Sequence, residues 1–171
     1  VGKTSVVAAL GAAFAEIGKK VLLVDGNLSS PSLGLHLGIV DPKRTLHHVL
    51  NRMARPKDAI YQHGNFDVMP ASIFERAETS PLGLKDKING LKRNYDIILI
   101  DSGPSIAEES LSVILASDQV IAITTPDHPT LTATMKAVKL AKQRGVPISG
   151  IVLNKVHGKD FEISISSIEE T

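Results

Sequence analysis

An α/β fold, with a mostly parallel sheet and helices on both faces, is predicted by three observations. Short aliphatic runs recur at 21–24, 97–100, 119–125 and 148–156. Runs this short and rich in β-branched residues read as strands buried on both faces. Segments with helical composition or spacing alternate with them, as parallel strands joined by crossovers require. Hydrophobic residues make up 43% of the chain and aromatics only 4%, which suits aliphatic strands packed by helices.

The chain opens on Val1-Gly2-Lys3-Thr4-Ser5, the second half of a Gly-rich phosphate-binding loop. Such a loop feeds a helix whose N-terminus faces phosphate. Residues 6–17 are Ala-rich and helix-favouring, with Gly18 as the stop. The strand 21–24 follows and ends in Asp25. A loop over 26–32 leads to a short apolar stretch, 33–37. Thr45 caps a helix running through Leu46, Val49 and Leu50 to Met53. Residues 66–69 form a short strand closed by Pro70. Residues 81–91 read as an amphipathic helix with Leu82, Leu84, Ile88 and Leu91 on its apolar side. The run 97–100 is the clearest buried strand and ends in Asp101. A helix is expected over 108–116 and a strand over 119–125, ended by Pro126. A helix over 131–144 stops at Gly145 and Pro147. The strand 148–156 follows, and residues 163–170 read as the start of another helix.

At 171 residues one domain is the natural count. It is expected to be a single partial nucleotide-binding domain over 1–171, beginning inside its phosphate loop and lacking a C-terminal strand and helices. With half that loop missing, the segment by itself is expected to bind nucleotide poorly. Nineteen basic residues balance eighteen acidic ones, so net charge argues neither for nor against DNA or anionic lipid. The absence of cysteine excludes disulfides and thiolate metal sites in this segment and fits a reducing compartment. No secretory signal or membrane-spanning run is visible.

Gly-Lys-Thr alone is a weak signal, and its context strengthens it. Asp101 ends a strand of four aliphatic residues and precedes Ser102-Gly103-Pro104. A rigid strand brings such a carboxylate to the sheet edge, where it can hold Mg²⁺, often through water. Asp25 ends its strand in the same way. It is either a turn-starting Asp or, the favoured reading, a residue beside Mg²⁺ or the γ-phosphate, because α/β sites collect at strand C-termini. Asn154 follows a strand and its amide matches a purine edge, although the residues alone favour a turn Asn. The six histidines show no zinc-like spacing and are expected at the surface or an interface. Lys136, Lys139, Lys142 and Arg144 form a basic helix face, read first as solvated and second as a contact for DNA or a partner.

Taken together, VGKTS, KKVLLVDGNLSSPSLGLHLG, YDIILIDSGPS, ITTPDHPTLTATMKAVKLA and GIVLNK resemble the MinD/ParA family of deviant Walker ATPases, archaeal MinD-like cell-division ATPases in particular. The resemblance spans the whole chain. It implies a P-loop NTPase fold, ATP and Mg²⁺ as cofactors, and an ATP-dependent homodimer that hydrolysis resets. By position, Gly2, Lys3, Thr4 and Ser5 would bind the phosphates, with Lys3 on the β/γ-phosphates and Ser5 by the α-phosphate. Thr4 and Asp101 would ligate Mg²⁺, and Asn154 would read the adenine edge. Residues 28–34 would be the first switch and 102–105 the second.

The family's signature lysine would lie upstream of Val1. The usual Asp-x-Asp of the first switch reads Asp25-Gly26-Asn27 here. Asn27 cannot act as a base, but it can orient an attacking water, so Lys3, Asp25 and Asn27 form the expected catalytic set. The output implied is cell-division site positioning or spatial organisation, in the cytoplasm or at the inner face of the membrane. Partner classes are a regulatory protein, a membrane surface reached by a C-terminal helix outside this sequence, and DNA, which is not favoured. The alternatives are a ParA-like DNA segregation ATPase, an iron–sulfur carrier ATPase and a bacterial-type tyrosine kinase. The carrier needs cluster-bridging cysteines. The kinase needs a tyrosine cluster, whereas the chain has only Tyr61 and Tyr95.

Overall fold

The computed structural model describes residues 1–76, 82–103, 108–159, 162–164 and 167–168. The chain divides into two compact units, one of residues 3–117 and one of residues 1–2 with 118–171.

The larger unit is built on β1 (Val21–Asp25), which is buried along its whole length. It pairs in parallel with β3 (Phe66–Met69) on one side and β4 (Ile97–Asp101) on the other. A short antiparallel strand, β2 (Tyr61–His63), completes the order β2-β3-β1-β4. Alternation along β1 divides its side chains between two cores. Val21 and Leu23 pack with Leu33 and Val68, and with Val7 and Phe14 of α1 (Lys3–Glu16). Leu22 and Val24 pack in the opposite core with Leu46 and Val49 of α3 (Leu46–Leu50), Ile88 of α4 (Gly83–Leu91) and Val113 of α5 (Glu108–Ala116). One turn, α2 (Leu33–His36), follows the loop after β1. The sheet is therefore mostly parallel with helices on both faces.

The smaller unit contains β5 (Val120–Thr124) and β6 (Ile148–Leu153), paired in parallel, with α6 (His128–Gln143) between them in sequence. Asp127 caps α6 by accepting from the Thr130 N–H at 2.9 Å. That cap starts the helix three residues before the expected 131.

Several expectations are corrected. The hairpin strand β2 carries no aliphatic run and was not foreseen; it turns through Gly64, whose φ is +58°. The most buried strand is β1 and not β4, because β1 is central while Ile97–Ile100 lie on the outer strand of the four and are half-buried. Leu82 precedes α4 and is exposed, while Leu84, Ile88 and Leu91 carry its buried face. Helix α3 ends at Leu50 and β6 at Leu153, both short of expectation. Pro81, and much of the helix expected over 163–170, lie outside the described residues.

The histidines are not all at the surface. His47 is fully buried and accepts from the Ser72 N–H at 3.0 Å through Nδ1. His48 is also buried; its Nδ1 accepts from the Thr45 N–H at 3.2 Å and its Nε2 lies 3.1 Å from Glu75 Oε1. A search for metal-ligand spacing misses such rings, because their partners are backbone N–H groups and one glutamate. His36, His128 and His157 are exposed and His63 is half-buried.

Candidate functional site

Helix α1 begins at Lys3, so Lys3 and Thr4 occupy its first turn, where unpaired N–H groups and the helix dipole favour an anion. Gly2 just before it has φ +95°, a conformation that L side chains rarely adopt. Within the smaller unit, a Cβ at Gly2 would lie 2.5 Å from Asn154 Nδ2, and that amide donates to the Val1 carbonyl at 2.8 Å. Ser5 is exposed.

The larger unit brings Lys3, Thr4, Asp25, Asn27 and Asp101 together at the C-terminal ends of β1 and β4. Thr4 Oγ1 donates to Asp101 Oδ2 at 2.6 Å and lies 3.1 Å from Ser32 Oγ. Asp101 Oδ1 is buried and has no hydrogen-bond partner among the described residues. Burial pushes the Asp101 carboxyl above the usual carboxylate range, against the Thr4 hydroxyl, the Lys3 ammonium and the Ser102 N–H, which pull it down. Burial likewise lowers the Lys3 ammonium, with Asp101 opposing.

Asp25 stands opposite Asp101 in the β1–β4 register. Its oxygens accept from the backbone N–H groups of Asn27 (3.2 Å), Ser32 (3.0 Å) and Leu33 (2.9 Å). Burial raises its pKa to about 6; the Asp101 charge adds to this and the three N–H groups oppose it. Asn27 is buried, and its Nδ2 donates to the Ser30 carbonyl. Its Oδ1 faces Gly103, where an added Cβ would lie 2.8 Å away. Of the expected second switch, Ser102 and Gly103 are described, and 104–105 lie outside the described residues.

Two hard oxygen groups, Thr4 Oγ1 and the Asp101 carboxylate, meet beside a helix N-terminus, and one buried carboxylate oxygen has no partner. That set suits Mg²⁺, which takes one or two carboxylates together with substrate oxygens.

A family model described as an AAA domain matches residues 1–144. The structure of MinD from Pyrococcus horikoshii, complexed with Mg-ADP, superposes with a TM-score of 0.89 at 35% identity, covering 99% of this chain and 71% of that one. The chain belongs to the MinD/ParA family of P-loop ATPases. The cell division ATPase MinD of Pyrococcus furiosus gives a TM-score of 0.90 at 36% identity over 99% of this chain and 73% of its own. An uncharacterized ATP-binding protein of Methanocaldococcus jannaschii is 34% identical over 94% of this chain. The chain spans 62% of that relative's length.

Sequence reasoning missed Ser32 as a contact of Thr4, except as one member of the 28–34 stretch. It also missed Glu109, which accepts from Ser29 N–H at 3.2 Å and from the Ser29 hydroxyl. The available signal was only an acid in the first turn of a helix.

Proposed function

We propose that this MinD/ParA-family protein binds and hydrolyses Mg²⁺-ATP and acts as a nucleotide-dependent dimeric switch in cell-division positioning or spatial organisation. The single observation that carries the proposal is the Thr4–Asp101 hydrogen bond at 2.6 Å, beside a buried and unpartnered carboxylate oxygen. A loop hydroxyl and a strand-end acid 97 positions apart meet where a phosphate-bound cation belongs. The AAA domain match runs across both compact units, which supports reading 1–171 as part of one nucleotide-binding domain.

In this reading Gly2 lets the backbone turn into α1, and Lys3 neutralises the β- and γ-phosphate oxygens. Ser5 lies by the α-phosphate and Asn154 reads the adenine edge. Thr4 and Asp101 would hold Mg²⁺, which when bound neutralises charge on the phosphates. Asp25 gathers three N–H groups and so shapes the loop that carries Asn27. The Asn27 amide orients the attacking water.

In the same reading the protein is a dimer reset by hydrolysis, in the cytoplasm or at the inner face of the membrane, and the names of the two MinD structures support the cell-division role. Among the described residues no helix is long and apolar enough to cross a membrane.

The test is ATP turnover with and without Mg²⁺. Turnover is expected to require Mg²⁺, and Lys3→Ala to lower it by about 10²–10³-fold, as loss of a preorganised charge at a transition state does. Turnover that is indifferent to Mg²⁺ and to Lys3→Ala overturns the proposal.

A further inference from the structure

We infer that Glu109 is a positioning residue that clamps the loop after β1 onto helix α5 and thereby sets the orientation of Asn27. The inference rests on the hydrolytic reading above and extends it to a residue outside the phosphate loop and both strand ends.

The loop over 26–32 has two kinds of anchor. From inside, Asp25 holds the N–H groups of Asn27, Ser32 and Leu33, and Thr4 touches Ser32. These leave the tip at Ser29 and Ser30 exposed. From outside, the Glu109 carboxylate reaches the tip across 80 positions of sequence. One oxygen accepts the Ser29 N–H and the other accepts the Ser29 hydroxyl. A carboxylate that accepts two donors from one residue fixes both the backbone and the side chain of that residue, and such charge-assisted bonds are the strong ones.

The clamp closes on the water-orienting residue. Gly103 leaves β4 at the point where an added Cβ would lie 2.8 Å from Asn27 Oδ1 and 3.9 Å from Glu109 Oε2. Asn27, Gly103 and Glu109 therefore bound one small space in which the Asn27 amide has little freedom. Asn27 Nδ2 already donates to the Ser30 carbonyl, one residue from the clamp. Movement of Ser29 away from α5 carries that carbonyl, and the amide with it. Because Glu109 lies in the first turn of α5, its charge also complements the helix N-terminus. That role is structural, involves no contact with Ser29, and is the rival explanation.

A double-mutant cycle separates the two. Steady-state ATP turnover and affinity for fluorescently labelled ADP with Mg²⁺ are measured on wild type, Glu109→Ala, Glu109→Gln, Ser29→Ala and Ser29→Ala/Glu109→Ala. Glu109→Ala is expected to lower kcat about 10-fold, with KM and labelled-ADP affinity within about twofold, because a misaligned group costs rate and not ground-state binding. Ser29→Ala keeps the backbone bond, and Glu109→Gln keeps one uncharged acceptor oxygen; each should lose about threefold, the worth of one modest hydrogen bond. The double variant should be no slower than Glu109→Ala, since residues acting through one contact are non-additive.

A Glu109→Ala enzyme within about twofold of wild type, or multiplicative losses in the double variant, overturns the clamp. Should Glu109→Ala not fold, unchanged kcat in both Ser29→Ala and Glu109→Gln overturns it equally. Wild type in its full natural length that binds no labelled ADP removes the hydrolytic reading and this role with it. Wild type that turns over while the variants match it removes the clamp alone.

Discussion

Asp25 and Asp101 end neighbouring parallel strands, face each other in register and are both fully buried. Their oxygens are used in opposite ways. Asp25 accepts from three backbone N–H groups, two in the loop that follows it and one at the start of α2. Asp101 takes one hydroxyl from Thr4, feels the Lys3 ammonium and keeps its other oxygen unpartnered. Two acids alike in sequence context thus divide the work. One builds the loop, and the other stays open to chemistry.

Four experiments press on this comparison. The largest effect is expected from Asp101→Asn, which should cut ATP turnover by about 10²-fold or more, since it removes a ligand of the proposed cation. In the absence of Mg²⁺ the same variant should be as stable as wild type or more stable, because burial disfavours the ionised Asp101. Mg²⁺ should then raise the melting temperature of wild type and not that of the variant. A variant that is less stable than wild type and still responds to Mg²⁺ would make Asp101 structural, like its neighbour.

Asp25→Ala should destabilise the fold by about 2 kcal/mol at pH 7, because three N–H groups lose their acceptor while the cost of a buried charge is relieved. Chemical denaturation measures it, and a neutral result would separate Asp25 from the loop.

The third effect is the pH dependence of that difference. The pKa of Asp25 is raised in the folded state, so its stabilising contribution is complete below about pH 4 and declines as pH rises through about 6. The Asp25→Ala penalty should therefore grow by up to about 3 kcal/mol between pH 7 and pH 4. A penalty that shrinks on acidification would mean the carboxylate is held ionised, as in an ordinary ion pair.

The smallest effect is expected at Gly26, which joins the two strand ends by donating its N–H to the Asp101 carbonyl at 2.8 Å. A Cβ there would meet Val113 Cγ2 at 2.7 Å, the Asp101 carbonyl oxygen at 2.8 Å and Ile100 Cγ2 at 2.9 Å. Gly26→Ala should cost about 1–2 kcal/mol by overpacking. Thermal melts that match wild type would show the strand ends to be looser than drawn.

Much of the larger unit was legible because its signals are local. Val21–Asp25 and Ile97–Asp101 announce buried strands by composition, and Gly2-Lys3-Thr4 announces a helix start by type and order. Other features depend on distant partners and left little local trace. His47 is buried with its Nδ1 accepting from the Ser72 N–H, and His48 with its two ring nitrogens on Thr45 and Glu75. Strand β2 exists because β3 offers it an edge. Glu109 reads as a helix-start acid until Ser29 is seen against it.

The sequence by itself determined the alternation of strands and helices, and it placed a lysine, a hydroxyl and two strand-end acids in the order of a phosphate site. Only the tertiary structure decided which acid is spent on backbone and which retains an open oxygen. Periodicity and residue type record what a side chain prefers. Whether a buried oxygen is already satisfied depends on donors brought in from elsewhere in the chain, and folding alone selects them.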